Sequence, residues 1–446
     1  MNDYDLGIIG WGAAGFAAAI RASELTYNGM RIALIGNGDL GGTCVNVGCV
    51  PSKYLIEASK EYNHALKPRY PGISSSAGVN FHELMSSLRS FVLKSRENKY
   101  TNVIKNFHNI DLYRGKASFI SKNEVMVNNI KIRATNFIIA TGSRPYIPEN
   151  IKNYITSDDL WSLDEIPKRL AIIGSGAVAM EMAYAFSNFG SDVYVFNRSN
   201  HVLKNFDSDI NKMLIDHMKG LGVKFIFGDI KEADHDYVIS DRKYSGFDKI
   251  LAATSRVPNI DINLEAASVD YKNGIIVDDH LRTSNKMIYA AGDCVDQRFQ
   301  LETLAGREGV IAVENILGLD RSIDLINVPW AVFTEPNVAS AGYTERELKK
   351  YKKRVLYLKN VVKSNILMED GLVKMLTDDE DHVLGVQIFA PYAAEFIPEA
   401  YNIIKNHGKY SDFIEAMHVF PTVSESLKIT AQSFIRDVSM MSCCME

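Results

Sequence analysis

The stretch GGTCVNVGCVPSK, residues 41–53, decides how the rest of the chain is read. The sequence holds five cysteines, and two of them, Cys44 and Cys49, stand here with four residues between them. Two thiols at that spacing can close a small ring as a disulfide and can reopen. The run that follows, Pro51-Ser52-Lys53 and then YLIEASKEY, reads as a helix with Cys49 in its first turn. A helix N-terminus and a nearby Lys53 both favour thiolate over thiol. Gly41 and Gly42 let the backbone approach something flat or phosphorylated. A zinc half-site would want further Cys or His at paired spacings, and His64 and His82 show no such pattern. The stretch therefore predicts a redox pair held against a cofactor.

Working outward, two segments resemble each other: DLGIIGWGAAGFAAAIRASELTYNGMRIALIG near the N-terminus and RLAIIGSGAVAMEMAYAFSNFGSDVYVFNRS in the middle. Each reads as an apolar strand, a glycine turn, an Ala-rich helix, a break and a second strand, which is a βαβ unit. The first carries G-x-G-x-x-G at Gly10, Gly12 and Gly15, with Ala14 inside it. The second carries G-x-G-x-x-A at Gly174, Gly176 and Ala179, with Val178 inside it. Such turns bring backbone N–H groups and a helix N-terminus to a pyrophosphate. Two of them in strand–turn–helix–strand context are a much stronger signal than one. Beyond about residue 326 the texture changes to strands followed by helices without a nucleotide motif, which suggests an α+β domain.

The bulk figures fit a multidomain globular chain. Its 446 residues suggest two to four domains, and 46% apolar and 23% charged residues are ordinary values. A net charge of −5 favours neither nucleic acid nor an anionic membrane as partner. There is no apolar run of the ~20 residues that span a bilayer. The N-terminus has no basic stretch before its first strand, so a secretory signal is not expected and a cytoplasmic location is. Few cysteines and a reducing compartment argue for a catalytic pair, not a disulfide scaffold.

With these motifs in hand, the sequence is similar over essentially its whole length to the pyridine nucleotide-disulfide oxidoreductases. The resemblance runs from IIGWGAAG through GGTCVNVGCVPSK, ATGSRPYIP, AIIGSGAVAMEMA and YAAGDC to FTEPNVASAGYTE and HVFPTVSESLK. It implies an α/β fold with two Rossmann-like dinucleotide-binding domains and a C-terminal α+β dimerisation domain. The implied boundaries are residues 1–149 with 270–325 for FAD, 150–269 for NAD(P)H, and 326–446 for the interface of a homodimer. It implies hydride passing from nicotinamide to flavin and then to the disulfide. By motif match, Cys49 would face the flavin and Cys44 would be the interchange thiol. Lys53 would lie near the reactive flavin nitrogen, Asp293 at the ribityl side, and Glu181 where the nicotinamide docks. Gly42, Thr43, Ala117, Thr141 and Gly142 would complete the flavin site, and Cys294 would be a buried structural thiol.

Four local features refine that picture. After the second unit, Asn197 and Arg198 stand where an acidic residue would hold an unmodified ribose, so NADPH is expected over NADH. After the first unit, Gly36 stands where the family normally has a ribose-binding glutamate. Near the C-terminus, Pro421-Thr422 and Glu425 match the disulfide-reducing members, but Phe420 replaces their histidine and His418 lies two residues earlier. Phenylalanine cannot move a proton, and an imidazole near neutral pKa is worth typically ~10²–10⁴-fold. In an extended segment His418 could point to the same side as Phe420, displaced by about 6–7 Å. The chain also ends SCCME, with Cys443 and Cys444 adjacent. Adjacent cysteines bridge only through a strained ring and are better suited to bind a soft metal ion as two thiols.

Loss of the base and gain of a terminal Cys-Cys together resemble the mercuric reductase branch, which implies NADPH-dependent reduction of Hg(II) to Hg(0). Members of that branch have a tyrosine where this chain has Phe420. The resemblance implies that Cys443 and Cys444 deliver Hg(II) to Cys44 and Cys49 of the other subunit. Many members also carry an N-terminal metal-trafficking domain with its own Cys-x-x-Cys. Here the first strand starts by about Tyr4, so that domain is expected to be missing. A dihydrolipoamide dehydrogenase-like or other disulfide reductase, and a metal-sequestering flavoprotein, are the rival expectations.

Overall fold

A computed structural model describes residues 2–325 and 327–441. Cys443 and Cys444 lie outside the described residues. The first βαβ unit builds a sheet from strands Ile110–Arg114, Ile32–Gly36, Asn2–Ile9 and Ile130–Ile139 in that spatial order, all parallel. Antiparallel strands Glu124–Val127 and Ala117–Ser121 extend it from Ile130–Ile139. The later strand Ile288–Ala290 returns to pair with Ile130–Ile139. Strand Ile32–Gly36 is buried throughout, as expected where helices cover both faces of a parallel sheet. The Ala-rich helix Ala13–Leu25 packs on helix Glu302–Ile316. The approach is so close that a side chain on Gly309 would put its Cβ 2.1 Å from the Ala14 carbonyl oxygen.

The second unit forms a separate four-stranded parallel sheet in the order Lys224–Phe227, Asp192–Asn197, Arg169–Ile173, Lys249–Ala252. Helix Ala177–Asn188 lies against it and also meets the cysteine helix Cys49–Leu66 within one apolar core. A two-stranded antiparallel ribbon, Ser143–Pro145 with Arg256–Pro258, ties the two nucleotide-type sheets together. The C-terminal part is a five-stranded antiparallel sheet, with helices Ala393–Lys405 and Glu425–Gln432 packed into its core. Its strand Leu372–Thr377 is buried at every position, Lys374 included. No helix among the described residues is long and apolar enough to cross a membrane.

Candidate active site

The glycine turns and the cysteine loop are built against one another. Gly10 has φ 118°, and a Cβ there would sit 1.9 Å from the Ala140 carbonyl oxygen. Gly42 has φ 62°, and its Cβ would meet the Gly12 Cα at 2.7 Å. Only glycine allows this contact between the two loops. Gly12 is the N-cap of helix Ala13–Leu25 and supplies no side-chain cap, so the N–H groups of that first turn stay free for a phosphate. Gly174 repeats the geometry with φ 118° and a Cβ 2.1 Å from the Ala253 carbonyl oxygen, and Gly176 caps its helix in the same way. Val178 is exposed on that helix's first turn.

Cys44 falls in a five-residue helix of its own, Gly42–Asn46, which the sequence reading did not anticipate. Cys49 opens the helix Cys49–Leu66. Both are free thiols, and their sulfurs are hydrogen-bonded. The two are driven apart in acidity. The hydrogen bond from Cys44 is the main force lowering the Cys49 thiol to about 7, against burial, with the Lys53 charge adding to it. The same bond, with burial, pushes the Cys44 thiol up. Cys49 is therefore the thiolate of the pair, and the partner sulfur contributes more to that state than Lys53 does.

Lys53, one turn further along the helix, donates to both oxygens of buried Glu181, at 3.0 and 2.8 Å. The Phe333 N–H donates to the same carboxylate at 3.0 Å, and Lys53 Nζ lies 4.5 Å from the Phe333 ring centroid. Helices from the two nucleotide-type units and the residue just after strand Trp330–Val332 of the third part thus meet at one ion pair. Asp293 accepts from Ser143 Oγ at 2.7 Å, and Arg256 Nε donates to that same Oγ at 2.9 Å. Burial raises the Asp293 carboxyl above its usual range. Thr141 Oγ1 donates to the Asn259 carbonyl, and Gly142 accepts from the Asn259 N–H. Ala117 is buried at a strand start, Thr43 is exposed beside Cys44, and Cys294 is fully buried with its thiol bonded to the Ile139 and Ala291 carbonyls.

A cleft of about 1260 Å³ opens on Cys44. Tyr54, Phe91, Tyr100 and Glu302 line it, and none of them was singled out from the sequence. Tyr100 sits on a π-helical turn, Glu97–Thr101, with its ring edge against Phe16 and its side over Gly41. Such turns concentrate at functional sites, but ENKYT carries no sequence signal of one. Burial, and then the charges of Cys44 and Glu302, push the Tyr100 hydroxyl up to about 12. It is a protonated donor beside the thiol pair.

The C-terminal segment separates two residues that could have faced the same way. His418 turns inward and bonds Glu399 at 2.9 Å, and that carboxylate raises its pKa. Phe420 is 53% exposed. Glu425 accepts from the Thr422 N–H at 3.3 Å, a local turn contact at the start of its own helix. At the end of the second unit's second strand, Asn197 is held by the Ser199 and His201 carbonyls. Arg198 is exposed and has no hydrogen bond or ion pair among the described residues.

Two glycine-capped nucleotide turns, with a dithiol at the head of a helix that packs on the second unit, define a flavin- and nicotinamide-dependent redox protein. The chain belongs to the pyridine nucleotide-disulphide oxidoreductases: that family's profile matches residues 4–309, and the profile of its dimerisation domain matches 328–431. It is 36% identical to a mercuric reductase of Lysinibacillus sphaericus, over 99% of this chain and 85% of the other. It is 31% identical to a dihydrolipoyl dehydrogenase of Staphylococcus aureus, over 96% of each. Among solved structures it superposes on the HOCl-induced flavoprotein disulfide reductase RclA of Escherichia coli with TM-score 0.86 and 26% identity, over 97% of this chain and all of the other. The family's cofactors are FAD and a nicotinamide nucleotide, and the glycine cradle and uncapped helix ends fit such dinucleotides.

Proposed function

We propose that the protein reduces Hg(II) to Hg(0) with NADPH, holding the ion between Cys44 and Cys49. The carrying observation is the thiol pair itself. One sulfur is a thiolate near neutral pH, and the other opens on a cleft large enough for an ion with its own thiol ligands. The nearest C-terminal histidine is tied to Glu399, while Phe420 takes the exposed position. Soft thiolates select a soft ion. Bound FAD would supply two-electron transfer from the nicotinamide to the thiol-held ion. In the net reaction one NADPH and one Hg(II) give NADP⁺, Hg(0) and one proton. Both sulfurs end in the oxidation state in which they began, so no leaving thiolate has to be protonated and no imidazole is required.

The remaining residues orient. Lys53 keeps charge beside Cys49 and is itself fixed by Glu181. Glu181, Gly174, Gly176 and Val178 would receive the nicotinamide nucleotide, and the unengaged Arg198 favours a 2′-phosphate on it. Gly10, Gly12, Ala14, Gly15, Gly42, Thr43, Ala117, Thr141, Gly142 and Asp293 would hold the flavin nucleotide. The dimerisation profile and the exposed Met417, Val419 and Phe420 favour a homodimer in which Cys443 and Cys444 deliver Hg(II) to the neighbour. The same reading divides the chain into a flavin domain of 1–149 with 270–325, a nicotinamide domain of 150–269 and an interface domain of 326–446, acting in the cytoplasm. A disulfide substrate is the second reading, supported by the dihydrolipoyl dehydrogenase likeness.

The test is anaerobic NADPH oxidation with Hg(II) in excess low-molecular-weight thiol, compared with lipoamide and oxidised glutathione, with volatile mercury collected. Mercury-dependent oxidation that disappears in Cys44→Ala and Cys49→Ala supports the proposal. Oxidation driven by lipoamide alone, or bound mercury without oxidation, overturns it.

A further inference from the structure

The second strand of a dinucleotide-binding βαβ unit ordinarily ends in an acidic residue that accepts from the ribose diol. Here Ile32–Gly36 ends in glycine. The structure shows what fills the space: a Cβ on Gly36 would lie 2.1 Å from Trp11 Cδ2 and 2.4 Å from Cε2. The Trp11 indole therefore occupies the volume of any side chain at residue 36. Trp11 is the middle residue of the Gly10-Trp11-Gly12 turn, 4% exposed, and its Nε1–H is a buried donor with no partner. An unpaired buried donor is costly. The Arg114 guanidinium carbon lies 5.6 Å from the ring centroid, on the strand residue paired with Gly36.

We infer that Trp11 is the ribose-positioning residue of the flavin-nucleotide site. Bulk and hydrogen-bonding function have moved from the strand end to the glycine turn, and the indole N–H donates to a ribose hydroxyl where a carboxylate would have accepted. This makes residues 11 and 36 a coupled pair, with the large residue at one forcing glycine at the other. The inference rests on the flavin that the family binds and is independent of which substrate is reduced.

The experiment is FAD titration of flavin-stripped protein, read by fluorescence quenching without nicotinamide or mercury, with melting temperature recorded beside it. Gly36→Glu alone should lose flavin binding and melt lower, because the new side chain meets the ring. Adding Trp11→Ser to it should restore FAD affinity to within a few-fold of the wild type. Trp11→Phe removes the indole N–H and part of the buried ring, so it should melt somewhat lower, still fold, and bind about two- to tenfold more weakly. A double variant no better than Gly36→Glu overturns the exchange. A Trp11→Phe protein with unchanged affinity overturns the indole donor. Neither result bears on the mercury assay, so a failure here leaves that reading standing.

Discussion

The two glycine turns are nearly the same object. Gly10 and Gly174 share a φ of 118°, and each presses against the carbonyl that follows a neighbouring parallel strand, Ala140 in one and Ala253 in the other. Their second strands end differently. The first ends in Gly36 under the Trp11 ring, whose N–H has no partner. The second ends in Asn197, locked by its own loop, and Arg198, open to solvent. The turn is dictated by how a strand must enter a helix over a phosphate. The strand end is free to vary, and in the proposed reading it sets which nucleotide is accepted.

The strongest way to break the likeness is to remove each turn separately. Gly10→Ala should leave less than about a tenth of the flavin bound, because neither the φ nor the Cβ can be accommodated. Gly174→Ala should keep its flavin, seen in the visible spectrum, and lose at least about 100-fold in NADPH oxidation, on the order of 3 kcal/mol. Equal flavin loss in both variants would show that the turns do not act on separate nucleotides.

The units also differ in how they are anchored. The first leans on the close helix contact at Gly309. The second is tethered to the five-stranded sheet by buried Lys374, which pairs with Asp209 at 2.5 Å, Asp207 at 3.3 Å and Glu345. Burial raises the Glu345 carboxyl, but Lys374, Tyr351 and Lys353 outweigh it and hold it at about 2. Lys374→Met would strand these carboxylates and should cost about 3–5 kcal/mol in chemical denaturation. Loss below 1 kcal/mol would show that the tether is not structural.

A smaller effect sharpens the contrast at the strand ends. Arg198→Ser should raise the KM for NADPH about tenfold, leave that for NADH alone and leave flavin content unchanged. The finest effect concerns the sulfurs between the units. Thiolate absorbance of the reduced protein should rise with pH through a midpoint of about 7 as Cys49 loses its proton. Both Cys44→Ala and Lys53→Met should move that midpoint up, and Cys44→Ala further, because its hydrogen bond is the larger cause. The reverse order would place the control of the thiolate on the lysine.

Much of this was legible in the sequence wherever a motif is local. The turns at Gly10 and Gly174, the helix beginning at Cys49 and the helix beginning at Ala393 follow from spacing within about twenty residues. The strands after residue 326 were legible too, but not that Leu372–Thr377 is buried at every position with a lysine inside it. His418 illustrates a different limit. Its spacing from Phe420 allowed a common side, but Glu399, nineteen residues earlier, captured the ring.

By itself the sequence determined the glycine turns, the dithiol spacing and the missing imidazole at residue 420, because each depends on the chemistry of neighbouring residues. The tertiary structure alone decided that Lys53 meets Glu181 and Phe333, that Tyr100 stands beside Cys44, and that Trp11 occupies the place of a side chain at Gly36. Those pairs lie tens to hundreds of residues apart in the chain. Close packing, which no local spacing encodes, brings them within a few ångströms.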